Sequence, residues 1–248
     1  MIKKVTERFL TIFFPKHCAV CDAVLIRDNG ICPECEKKLS LLSGNVCMIC
    51  GKEIEEAKIY CYDCNRKQRG FERNFSVFTY SDMKESLCRF KYNGRAEYAK
   101  FYARTACRMH GRILKQLHAD ALVPIPLHCL RQRKRGYNQA EEFAKELSLL
   151  LDIPMRNDLI KRVKATKALK TLNAIERQNN LKKAFLFMQN DVKLNTIILV
   201  DDIFTTGATL DAAARVCKQA GVQKIYAVTI AVGAGLQDSA DTPNFVGR

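Results

Sequence analysis

Thr196 to Val200 reads TIILV, an unbroken run of apolar and β-branched positions with the length of a buried central strand. Ala208 to Ala220 then repeats its apolar positions every 3.6 residues, and Gly221 follows as a stop, so a helix is predicted directly after that strand. The same reading along residues 72–232 gives an early helix over 81–117, a strand over 121–126 and a helix over 138–151 with Phe143, Leu147 and Leu150 on its buried face. It adds a strand near 157–162, a short helix over 173–182 and a last strand over 223–231. Strands alternating with helices predict an α/β fold around a mostly parallel sheet.

The first 71 residues follow a different pattern. Residues 1–16 read as a short amphipathic helix ending at Pro15, and after them apolar periodicity gives way to cysteines. Eight of the twelve cysteines form CxxC pairs: Cys18/Cys21, Cys32/Cys35, Cys47/Cys50 and Cys61/Cys64. The second two pairs repeat the first two at an offset of 29 residues, which reads as a duplicated module supplying four thiolates per copy. Four thiolates suit a closed, structural, tetrahedral Zn²⁺ site, about two per chain, since segments this short cannot fold around an apolar core of their own. A redox CxxC, an Fe–S cluster and a disulfide framework are the alternatives. Thr6, Glu7 and Arg8 interrupt any apolar leader, which predicts a cytoplasmic, reducing setting and favours metal over disulfides. The repeat favours the groups 18/21/32/35 and 47/50/61/64 over a cross-braced arrangement, and Cys88, Cys107, Cys129 and Cys217 read as ordinary buried thiols. A domain boundary falls near residue 72, and residues 233–248 read as a mobile tail without period.

The chemistry concentrates where strand 196–201 ends. Asp201 and Asp202 are followed by Thr205, Thr206, Gly207, Ala208 and Thr209, so hydroxyls and backbone N–H groups gather at a helix N-terminus at the carboxyl end of a strand. Gly207 removes the Cβ that would hold a phosphate away. A phosphate monoester fits that loop, and the two carboxylates can accept the vicinal hydroxyls of an attached ribose. Other readings are a metal or phosphoacceptor pair at Asp201/Asp202 and a plain N-cap and turn at TTG.

VDDIFTTGAT resembles the 5-phosphoribosyl-1-pyrophosphate (PRPP) signature of the type I phosphoribosyltransferases. The CxxC pairs, FKYNG at 90–94, VPIP at 123–126, RGYNQAEEFAKEL at 135–147 and ERQNNLKKAF at 176–185 narrow the resemblance to the ComF family of competence protein F and GntX-like proteins. The resemblance implies a phosphoribosyltransferase-like parallel sheet with helices on both faces, preceded by a zinc-ribbon module. It implies Asp201 and Asp202 as the catalytic pair, Mg²⁺ arriving with PRPP, and Arg131, Arg133 and Arg135 as holders of the pyrophosphate, which arginine forks match well. It also makes the basic stretch after residue 160 the hood-like loop that closes over such sites. Where many relatives carry a glutamine three residues after the threonine of this loop, Leu169 stands here.

Charge enlarges the picture. The formal net charge is +15, and residues 84–186 hold 23 Lys and Arg against 9 Asp and Glu. A field of that size attracts a pyrophosphate or a nucleic-acid backbone, or is simply a solvated face. Lys161, Lys164, Lys167 and Lys170, with Lys91 and Arg95, are the candidate contacts to single-stranded DNA. No apolar run approaches the ~20 residues of a membrane span. Two function classes are open: an enzyme transferring ribose 5-phosphate from PRPP, and, as the family resemblance implies, a factor of natural transformation, binding single-stranded DNA and a helicase partner. No residue set in the chain points to a particular acceptor base.

Overall fold

In a computed structural model the described residues are 15–26, 29–55, 57–163, 184–188 and 193–233. The expected N-terminal helix, the short helix over 173–182, and the tail from residue 234 lie outside them.

The 29-residue repeat of the sequence reappears as geometry. In the first copy a β-bridge joins His17 to Val24, and in the second Val46 joins Glu53. Each knuckle closes with matching backbone bonds, Cys18 N to Ala23 O at 2.8 Å and Cys47 N to Lys52 O at 2.7 Å. Each is followed by a short helix, α1 (Pro33–Lys38) and α2 (Tyr62–Arg66). The knuckle requires a left-handed residue, which the second copy supplies with Gly51 at φ +76° and the first with Asp22 at +67°. That position disfavours a side chain. Asp22 has a use for one, because its carboxylate receives Arg95 Nε at 2.8 Å and the Tyr98 hydroxyl, docking the first copy onto the next domain.

Six strands follow. Four of them, β1 (Arg73–Thr79), β2 (Ala121–Pro124), β5 (Thr196–Phe204) and β6 (Lys224–Val232), form one parallel sheet in the order β1-β6-β5-β2. The remaining pair, β3 (Ile160–Arg162) and β4 (Phe185–Phe187), is antiparallel. Between β1 and β2 run α3 (Tyr80–Tyr92) and α4 (Tyr98–Gln116); α5 (Cys129–Arg135) and α6 (Gln139–Leu151) follow β2; α7 (Ala208–Gln219) joins β5 to β6.

Alternation along β5 builds two cores, because successive side chains point to opposite faces. Ile198 and Val200 enter a cluster with α3, α4, α6 and the first cysteine module; Ile197 and Leu199 enter another with α7, β3, β4 and the second. The two modules therefore cover opposite faces of one sheet. On β1, Phe75 and Val77 serve the first cluster, while Asn74 and Ser76 turn to the other face and meet Thr229 in a buried polar knot. Asn74 Nδ2 also donates to Cys50 O at 3.0 Å, so the knot fastens the second module.

The mostly parallel α/β fold with helices on both faces is present, and several boundaries differ from expectation. The long helix over 81–117 is two helices, interrupted where Gly94 adopts φ +69°. The strand over 121–126 ends at Pro124, although Ile125 N still donates to Val200 O at 2.8 Å. The strand near 157–162 shortens to β3, and the strand expected over 196–201 continues as β5 to Phe204, so Asp202 as well as Asp201 lies within it. β1, β4 and α5 were not foreseen. In β1 the alternating Asn and Ser hide a strand that is buried at all but its ends.

Candidate functional site

β5 delivers Asp201 and Asp202 in register with Thr229 and the residues that follow it on β6, where both strands approach their carboxyl ends. Asp202 N donates to Asp201 Oδ1 at 2.9 Å, so the backbone already holds one carboxylate. The other is held from α3, where Lys91 Nζ lies 3.0 Å from Asp202 Oδ2 with both side chains 16% exposed. Burial, and next the negative charge of Asp202, push the Asp201 carboxyl up to about 7; Lys91 and Arg162 act in the opposite sense. Arg162 reaches this place from β3, its guanidinium 5.3 Å from the Phe185 ring and within electrostatic reach of Arg131 on α5. Burial, followed by the repulsion from Arg131, lowers the pKa of Arg162. One acid pair is thus met by cations from two elements, α3 and β3.

The loop beyond is built to stay open. Thr205 and Thr206 are exposed, Ala208 and Thr209 half-buried, and Gly207 is the N-cap of α7 at φ +76°. The first amides of α7 have no intrahelical acceptors and suit an anion. A Cβ on Gly207 would come within 2.7 Å of Phe204 Cζ and of Arg69 Nη1. Arg69, its side chain 2% exposed, donates to Thr206 O at 2.7 Å and to Asp211 Oδ2 at 2.9 Å. Gly70 N donates to Asp211 Oδ1 at 3.0 Å, so a buried carboxylate of α7 fixes the linker against the loop.

The three arginines of α5 separate. Arg131 lies within electrostatic reach of Arg162, Arg133 is exposed, and Arg135 donates to Gln139 Oε1 at 2.7 Å and to the Tyr92 hydroxyl at 3.1 Å. Of the candidate DNA contacts, Lys91 is engaged with Asp202 and Arg95 with Asp22, which sets both apart from the exposed Lys161. Lys164, Lys167 and Lys170, and Leu169 among them, lie outside the described residues.

The eight paired cysteines meet in two clusters, Cys18/Cys21/Cys32/Cys35 and Cys47/Cys50/Cys61/Cys64, the grouping that the repeat favours, with all four sulfurs of each within 4.8 Å of one another. Four thiolates at the usual zinc–sulfur distance would stand about 3.8 Å apart in a tetrahedron. Cys21 and Cys32 are 3.8 Å apart, Cys50 and Cys61 3.5 Å, and Cys32 N points at Cys18 Sγ from 3.3 Å, an N–H to sulfur bond that suits a thiolate. Both clusters fit structural zinc. Of the four single cysteines, expected to be buried, Cys217 is, Cys107 is half-buried, and Cys88 and Cys129 are exposed on α3 and at the start of α5.

The sequence profile of the Double zinc ribbon domain matches residues 9–65, and that of the Phosphoribosyl transferase domain matches residues 107–245. Competence protein F of Haemophilus influenzae is 33% identical over 220 residues, covering 86% of this chain and 95% of its own. The chain belongs to the ComF family. Two further family relatives are competence protein ComFC of Bacillus subtilis, 33% identical over 231 residues (82% and 89% covered), and the DNA utilization protein YhgH of Escherichia coli K12, 27% identical over 222 residues (85% and 94%). Among the described residues no helix is long and apolar enough to cross a membrane.

Sequence reading missed Arg69, Asp211 and Arg162, and assigned Lys91 to another role. Asp211 carried a signal, since it is an acid on the apolar stripe of a helix, flanked at helical spacing by Ala208 and Ala214. Such a residue requires a partner. Arg162 carried none, being one cation in a basic run.

Proposed function

We propose that this ComF-family protein binds PRPP or ribose 5-phosphate in the crevice above β5 and acts in natural competence, on incoming single-stranded DNA. The observation that carries the ligand is the acid pair in series with an open Thr/Gly loop at a helix N-terminus: a diol and a phosphate monoester are recognised at the two ends of one strand-to-helix turn. The competence role rests on kinship with competence protein F, ComFC and YhgH.

On this reading residues 1–71 are the ribbons and 72–232 the phosphoribosyltransferase-like unit. The ribose 2- and 3-hydroxyls donate to Asp201 and Asp202, the 5-phosphate takes the amides and hydroxyls of Thr205 to Thr209, and Arg131 faces the pyrophosphate with Arg133 and Arg135 on the same helix. Mg²⁺ bound with PRPP would offset the pyrophosphate charge. Lys91 occupies Asp202 before the ligand arrives, so binding exchanges that ion pair for hydroxyl bonds. If transfer occurs, the acid pair stabilises positive charge developing on the ribose, an electrostatic effect that strengthens as water leaves the crevice. The second reading, an active phosphoribosyltransferase with an unidentified acceptor, is favoured by the same acid pair.

Asp201→Asn with Asp202→Asn removes charge-assisted hydrogen bonds worth on the order of 1.5 to 3 kcal/mol each. Calorimetric titration with PRPP and Mg²⁺, and with ribose 5-phosphate alone, should find affinity lost in a double variant that keeps its circular dichroism spectrum. Unchanged affinity in the folded variant refutes the site.

A further inference from the structure

The two ribbons dock in unequal ways. The first bonds to helices: Asp22 holds Arg95 of the α3–α4 connection and Tyr98 of α4, while the Ala19 and Val20 carbonyls accept from Ser86 and Arg89 of α3. The second docks against the sheet and the phosphate loop together. Its knuckle is tied to β1 by Asn74 N donating to Ile49 O at 2.7 Å and Asn74 Nδ2 to Cys50 O at 3.0 Å. A Cβ on Gly51 would stand only 3.2 Å from Asn74 O, so knuckle and strand are in close contact.

The chain leaving this ribbon then supplies Arg69. Its guanidinium donates to the Thr206 carbonyl and to Asp211, stands beside Gly207, lies 5.7 Å from the Phe204 ring, and is within electrostatic reach of Cys64. One buried cation therefore touches the loop backbone and the helix that follows, and borders a ligand of the second cluster. Residue 69 is five positions from Cys64, so a short linker, docked by Gly70 N on Asp211, joins that cluster to Arg69. A buried arginine stays in place only while its acceptors are held.

We infer that the second ribbon is a positioning element for the phosphate loop, with Arg69 as the positioning residue, so that metal occupancy at Cys47/Cys50/Cys61/Cys64 sets how well residues 205–209 are ordered to receive a phosphate monoester. The inference rests on the ribose-phosphate reading for its ligand, and its ordering half stands without that reading. The first ribbon has no such contact among the described residues.

The test compares full-length proteins by zinc content, hydrogen–deuterium exchange of the 205–209 amides, and titration with ribose 5-phosphate. Cys50→Ser with Cys64→Ser should retain one zinc, speed loop exchange about tenfold or more, and weaken ribose 5-phosphate by a similar factor. Cys21→Ser with Cys35→Ser should also retain one zinc, yet leave loop exchange at the parent rate. Arg69→Met should keep both zincs and reproduce the faster exchange; Arg69→Lys, which retains the charge without the fork, should fall between. Parental exchange in both the second-site and Arg69 variants overturns the inference, as does equal acceleration by loss of either zinc. Should Arg69→Met fail to fold, Arg69→Lys and the two cysteine pairs decide alone. A parent that does not bind ribose 5-phosphate defeats the ligand reading, while exchange still judges the coupling.

Discussion

A carboxyl placed beside another carboxyl and away from water resists ionisation, and Asp201 meets both conditions. Its folded-state pKa stands at about 7 against an ordinary 3.8. Between these values the unfolded chain has released the proton and the folded one still holds it, so this group makes stability fall as pH rises, with no further change above about 7. Asp201→Asn cannot ionise. Urea midpoints measured from pH 5 to 8 should show the variant gaining on the parent as pH rises, and levelling once the parent's Asp201 is charged. A constant difference across that range would mean that Asp201 titrates like an exposed acid. Lys91 and Arg162 face the pair from α3 and β3, so the charge that appears at high pH has partners, and recognition of a diol through two acceptors improves over the same range.

Gly207 shows why an element can be legible while its setting is not. The strand, the Thr/Gly turn and the helix are all written within 196–220, because apolar period and turn chemistry are local properties. The same holds for the ribbons, whose 29-residue repeat returns as paired bridges and paired short helices. What packs behind the turn is written elsewhere: Arg69 arrives from 138 positions upstream, and β1, the strand that fastens the second ribbon, alternates polar residues whose partners are Cys50 and Thr229. The helix break at Gly94 was in the sequence and was overridden by the apolar period on both sides. Gly207→Ala joins the local and distant parts in one experiment. A side chain there meets φ +76° and a 2.7 Å approach to Phe204 and Arg69, so stability should drop by about 1–3 kcal/mol and ribose 5-phosphate binding should weaken with it. Neutral behaviour in both would show that the loop relaxes freely away from Arg69.

At the scale of the whole molecule, one sheet carries a ribbon on each face and the acid pair toward its carboxyl end, under a charge of +15. Pairing consumes part of that charge: Lys91 and Arg95 answer Asp202 and Asp22, and Arg69 answers Asp211. Lys161, exposed on β3, begins the sequence run that continues with Lys164, Lys167 and Lys170, and it stands beside Arg162, which is within electrostatic reach of Asp201. The described start of the run therefore lies on β3 next to the residue that faces the acid pair, and if residues 201–209 hold the proposed ligand, a strand of DNA at Lys161 would be its neighbour. A hypothesis follows from that placement, that single-stranded DNA binds through neutralisation of its backbone by this run. Affinity for an oligonucleotide should fall with salt, with a log–log slope near −0.7 per phosphate neutralised, and should differ little between sequences. Replacing Lys161, Lys164, Lys167 and Lys170 by alanine should lower both affinity and slope, while ribose 5-phosphate binding stays nearly intact because the loop uses amides and hydroxyls. Titrating DNA in the presence of saturating PRPP and Mg²⁺ then separates adjacent sites from a shared one: independent binding gives two surfaces, and competition puts DNA phosphate in the crevice itself. If the quadruple variant bound DNA as the parent does at every salt concentration, the run would be a solvated loop over an active site, and the transferase reading would gain.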